Sequence, residues 1–110
     1  MHHKDTRIYQ RSLELNRLSA ELIAHLPNGL GFLADEIRRA SASVLLNFSE
    51  GCGRTAPRER RRFFVMAKGS ASEVSAAADV AFVHRAVTRG EHEALQAVCN
   101  HVCAMLQLYR

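Results

Sequence analysis

Apolar residues recur every three or four positions along almost the whole chain, the spacing that keeps them on one face of an α-helix. Residues 6–26 carry Ile8, Leu15, Leu18, Leu22 and Leu26 in this register, and residues 32–50 carry Leu33, Ile37, Ala40, Val44 and Phe48. A third stripe, Phe64, Ala67, Ala71, Val74, Ala78 and Phe82, lies within residues 55–89. A fourth, Leu95, Val98, Val102, Leu106 and Tyr109, lies within residues 91–109. Breakers separate them: Pro27, Gly29 and Gly31, then Gly51 and Gly53, then Gly90. Glycine takes the left-handed C-terminal conformation at little steric cost, so Gly51 and Gly53 read as the stop of the second helix. Thr55 offers a hydroxyl cap to the third, and Pro57 suits its first turn. Four amphipathic helices with short connections predict one all-α domain over residues 1–110, an antiparallel up-down-up-down four-helix bundle.

The polar face of that pattern is incomplete. Val44, Leu45 and Leu46 are consecutive, so they cover more than one side of the second helix. The third helix carries AKGSASEVSAAADVA, with small residues on several sides. Small residues let backbones approach closely, and a second apolar face needs a second partner. The expectation is a homo-oligomer built through the second and third helices.

Composition narrows the class. A chain of 110 residues with two prolines, six glycines and no tryptophan suits a single helical domain. Cys52, Cys99 and Cys103 are an odd number, the start MHHKDTRIYQ is charged, and no run is long enough to span a bilayer. Reduced thiols in a cytoplasm, with no membrane partner, follow as the expectation. The net charge of +4 is concentrated. Between Arg38 and Lys68 eight basic residues face two acids, a local charge of +6 that leaves −2 for the rest. Such a patch points to an anionic partner, nucleic acid or acidic protein. The plainer alternative is that its arginines serve a subunit interface.

The residues within this region resemble a known family. LADEIRRASASVLLNFSEGCGR, followed by FFVMAKGSASEV, is similar to the small four-helix-bundle proteins called 23S rRNA intervening-sequence proteins. Ile37, Arg38, Arg39 and Ala40 match one family element; Ser43, Asn47, Glu50, Gly51, Gly53 and Arg54 a second; Gly69, Ser70 and Glu73 a third. RIYQRSLEL resembles the family's opening helix. Two positions depart: Leu45 stands where the family has proline, and Glu36 where it has glutamine. The resemblance implies a bundle that assembles into a ring, a pentamer, with no established enzyme activity.

Candidate chemistry is sparse. Gly51-Cys52-Gly53 lacks the preceding strand and third glycine of a dinucleotide fingerprint and the Gly-Lys-Ser/Thr of a P-loop. Asn47, Glu50 and Arg54 read as a corner in which Glu50 pairs with Arg54 or Arg39 and Asn47 bonds to backbone; the functional alternative is a polar pocket at a subunit junction. Arg54, Arg58, Arg60, Arg61 and Arg62 are the nucleic-acid candidates. Arginine forks and free N–H groups at a helix start bind phosphate together. The same positive charge opposes the helix dipole, so it needs compensation, from Glu50 or Glu59 or from Asp35 or Glu36 of a neighbour. His92, Cys99 and Cys103 lie on successive turns without a fourth ligand, so no metal or cofactor is expected. No catalytic residue is assigned. A remote alternative is that Arg85 and His92 resemble the Arg…His pair of small helical ribonucleases, although Gly90 interrupts them and Ala86 follows the arginine.

Overall fold

The computed structural model describes residues 2–109. After a 3-10 turn, His3–Asp5, come α1 (Arg7–Ile23), a second 3-10 turn (Asn28–Leu30), α2 (Gly31–Gly53), α3 (Pro57–Val83) and α4 (Arg89–Leu108). There is no strand among the described residues, and no helix is long and apolar enough to cross a membrane. α2 packs on α1 and α3, and α4 packs on α3 and α1, so the four helices enclose one core. The bundle measures 43 × 22 × 18 Å.

The apolar stripes fill that core. Ile8, Leu15 and Leu22 of α1 meet Leu33, Ile37, Ala40, Val44 and Phe48 of α2. Phe64, Ala67, Ala71, Val74 and Ala78 of α3 and Leu95, Val98, Val102 and Leu106 of α4 complete it. Leu18 and Tyr109 are only partly buried, and Phe82 is 38% exposed and stacks on His92, with ring centroids 4.6 Å apart. Leu26 falls beyond the end of α1 and is only partly buried. α2 runs unbroken through Leu45.

Between α1 and α2 the interior is polar. Ser41 donates to Ser19 at 2.7 Å, and Asn16 donates to the carbonyls of Ser12 and Ser41, both at 2.8 Å. Serine is small enough to bring two helices close, and its hydroxyl must then find a partner inside. Ser12 is the exception, its buried hydroxyl unpartnered within the described residues.

Helix ends differ from the expectation. Gly51 and Gly53 do not stop α2 through a left-handed residue; both lie within its last turn, and no glycine has positive φ. The chain leaves α2 through an extended Arg54. Thr55 does not cap α3, whose N-cap is Ala56 with no side-chain bond, while Pro57 does occupy the first turn. α3 stops at Val83 instead of continuing to residue 89, and Arg85 takes the left-handed conformation, φ 58°. Gly90 is inside α4, because Thr88 starts that helix with a reciprocal capping box. The Thr88 hydroxyl accepts from the Glu91 N–H at 3.1 Å, and Glu91 accepts from the Thr88 N–H at 2.7 Å.

Candidate functional site

The arginine cluster sits where α2 hands over to α3, and its members divide by role. A helix leaves its last carbonyls without intrahelical donors. Arg60 supplies them: its Nη1 donates to the carbonyl of Cys52 at 3.1 Å and to that of Arg54 at 3.0 Å. Its guanidinium also lies over the Phe64 ring, 5.5 Å from the centroid. Arg60 therefore ties the two helices together across the corner.

Arg54 pairs with Glu50 at 3.2 Å, and Arg62 with Glu59 at 3.0 Å. Their guanidinium groups flank Phe63 at 5.2 and 4.8 Å from its centroid. The hydrogen bond from Arg62 holds the Glu59 carboxyl below its ordinary range. Arg58 and Arg61 are exposed and make no hydrogen bond or ion pair among the described residues. Of the five arginines proposed to meet nucleic acid, three are thus engaged within the chain.

The matched motif residues join α2 to α3. Arg39 of α2 pairs with Glu36 at 2.7 Å and reaches Glu73 of α3 at 3.3 Å. The Arg39 hydrogen bond keeps the Glu36 carboxyl low, whereas the neighbouring Glu36 pushes Glu73 up. Arg38 pairs with Asp35 at 2.9 Å. Ser43 and Ser70 share a hydrogen bond of 2.8 Å, and Asn47 donates to the Ser43 carbonyl and hydroxyl at 3.0 and 2.8 Å. Glu50 thus pairs with Arg54 and not with Arg39. Asp35 and Glu36, considered as partners for a neighbour's arginines, already serve Arg38 and Arg39 of their own chain.

The two motif glycines have opposite surroundings. A Cβ on Gly51 would lie 2.5 Å from Phe64 Cε1 and 3.2 Å from the Arg60 carbonyl oxygen. Gly69, in the middle of α3, has nothing within 4 Å of its would-be Cβ. It is exposed, as are Leu46 of α2 (66%) and, on α3, Val65 (68%) and Val83 (78%).

The remaining candidates are dispersed. His92 is bonded through Nε2 to Asp79 at 2.7 Å, and Gln96 donates to the same carboxylate at 2.9 Å. Cys99 is buried among apolar side chains, which pushes its thiol up to about 12. Cys103 points to the Lys68 carbonyl at 3.8 Å. Among the described residues no three His, Cys, Asp or Glu side chains gather as a metal site. Arg85 is exposed in the α3–α4 turn.

Residues 4–108 match the family model described as 23S rRNA-intervening sequence protein. The fold is similar to a crystal structure of a protein with unknown function from the S23 ribosomal protein family of Bacteroides thetaiotaomicron VPI-5482. The TM-score is 0.83 at 18% identity, over 90% of this chain and 94% of that one. At that identity the likeness speaks for the fold alone. No curated protein matches the sequence.

Proposed function

The chain belongs to the 23S rRNA-intervening sequence protein family, and from that premise we propose that it is a non-enzymatic, homo-oligomeric scaffold. Copies join through the outer face of α2 and α3, and the basic corner docks an anionic macromolecule. The antiparallel up-down-up-down order belongs to the same reading. Arg39–Glu73, Ser43–Ser70 and Gly51–Phe64 support it, since the numbers rise along α2 as they fall along α3. A reducing cytoplasm suits the three free cysteines Cys52, Cys99 and Cys103.

The observation that carries the proposal is an exposed glycine, Gly69, in the middle of α3, with Leu46 exposed on the neighbouring α2. An interior helix glycine costs about 1 kcal/mol relative to alanine. Among the described residues nothing from outside its own turns of helix comes within 4 Å of a Cβ at Gly69 to offset that cost. A second copy lying close against it would, and it would cover Leu46 at the same time. The family resemblance makes five copies in a ring the expected assembly.

Light scattering at micromolar concentration tests this. The expected mass is that of five chains, and Leu46→Glu should reduce it to one chain without loss of helical circular dichroism. A wild-type monomer under these conditions removes the proposal. The second reading, arginines at the interface, is favoured if the double variant Arg58→Glu/Arg61→Glu dissociates the assembly. If nucleic acid is the docked partner, Arg58 and Arg61 of one copy release about two counterions, and log affinity falls with log salt with a slope of about −2.

A further inference from the structure

Beside the basic corner, α3 and α4 enclose a groove of about 180 Å³. Phe64 and Leu106 form its apolar walls with Tyr109, Val65 stands exposed at its edge, and Arg61 and Lys68 flank it. Among the described residues Arg61 has no partner, and the ammonium of Lys68 meets the neutral amide of Gln107, at 3.1 Å. No acid lies between Glu59 and Glu73 on α3, nor from Gln96 to Tyr109 on α4. Two cations thus flank an apolar cleft, and no carboxylate side chain among the described residues pairs with either of them.

We propose that this groove docks a segment of a partner protein in which one aliphatic side chain is flanked by carboxylates, the anchor entering the cleft between Phe64 and Leu106 while Arg61 and Lys68 take the acids. Size and chemistry favour that occupant. Apolar cavities of about 150 Å³ hold a benzene, and pockets for small molecules begin near about 300 Å³, so this cleft takes one side chain. Proteins that grip single strands stack bases on exposed rings. Here Phe64 is 3% exposed, and Phe63 is 9% exposed with two guanidinium groups over it. On α3, Arg61, Val65 and Lys68 follow at i, i+4 and i+7, a cation–aliphatic–cation row that matches the spacing of an amphipathic helix laid alongside. The proposal rests on the reading of the basic corner as a docking surface and requires that any assembly leave Val65 and the α3–α4 groove uncovered.

Fluorescence anisotropy on the intact chain tests it with three labelled probes. One is a helical peptide of about twelve residues with a leucine between two glutamates at this spacing; one has both glutamates replaced by glutamine; one is an oligo-uridylate. The expected result is that the acidic peptide binds and the other two bind at least about tenfold more weakly. Arg61→Glu/Lys68→Glu should cost about tenfold or more, and the milder Arg61→Gln/Lys68→Gln a smaller loss in the same direction. Equal binding of the glutamine peptide, tighter binding of oligo-uridylate, or no binding of the acidic peptide at millimolar concentration overturns the proposal. Light scattering on the same variants separates the two readings. A charge-reversal variant that binds less but keeps its mass supports the groove; one that falls apart assigns these cations to the subunit interface and overturns it.

Discussion

Gly51 shows how one side chain's absence sets the α2–α3 corner. A methyl there would meet Phe64 Cε1 at 2.5 Å and Cδ1 at 2.9 Å. Phe64 is held by its neighbours, its ring packed against Phe48 and Tyr109 with centroids 5.8 and 5.1 Å away. Gly51→Ala should therefore destabilise the chain by about 1–3 kcal/mol in urea unfolding, as overpacking does. Gly53→Ala, two residues on and with nothing within 4 Å, should be neutral or stabilising by about 0.5 kcal/mol. Equal effects at both glycines would mean that the clash is not what Gly51 avoids. In the sequence the two looked alike, a pair of helix stops. Their difference depends on Phe64, thirteen residues after Gly51, and no local rule reports a contact of that kind. The arginines teach the same lesson: five in a short stretch read as one patch, but carbonyls and carboxylates around the corner engage three of them, while Arg58 and Arg61 have no partner among the described residues.

At the scale of the helices, the apolar faces were legible and the ends were not. Val44, Phe48, Ala71 and Val98 are buried as the periodicity requires, since a stripe at helical spacing can only be satisfied by packing. Gly90 suggests an α3 that continues to residue 89, but α3 ends at Val83, and Thr88 and Glu91 carry the reciprocal cap that starts α4. That signal was present in the sequence as Thr-x-x-Glu. Thr88→Ala should lower stability by about 1 kcal/mol, read from thermal unfolding at neutral pH. The charge on Glu91 adds a pH dependence. The Thr88 N–H, aided by His25 at 2.5 Å, holds the carboxyl below its ordinary value of 4.5, although partial burial works the other way. A folded-state value below the unfolded one gives stability that is complete above pH 4.5 and is lost as pH falls through the folded value. Glu91→Gln should thus be less stable than wild type at pH 7, with the gap closing in acid. A gap that stays constant down to pH 3 would assign the loss to geometry and not to charge.

For the whole molecule the telling position is Gly69. If copies meet across α2 and α3, Gly69→Ala should have two opposite effects. The isolated chain, measured below the concentration at which copies dissociate, should gain up to about 1 kcal/mol from the better helix former. The assembly should weaken, seen as a higher dissociation concentration in light scattering. A gain in stability with unchanged assembly would place the interface elsewhere. The sequence by itself determined the helical class, the four apolar stripes, the surplus of apolar and small residues on α2 and α3, and the concentration of charge. Each of these is a matter of spacing or count along the chain, which helix periodicity converts directly into a face. Only the tertiary structure decided which arginines are engaged within the chain, which glycine is crowded, how the buried serines pair, and that Lys68 stands with Arg61 over a cleft. Those depend on which atoms from distant turns arrive at the same place, and one helix carries no record of what its neighbour will present to it.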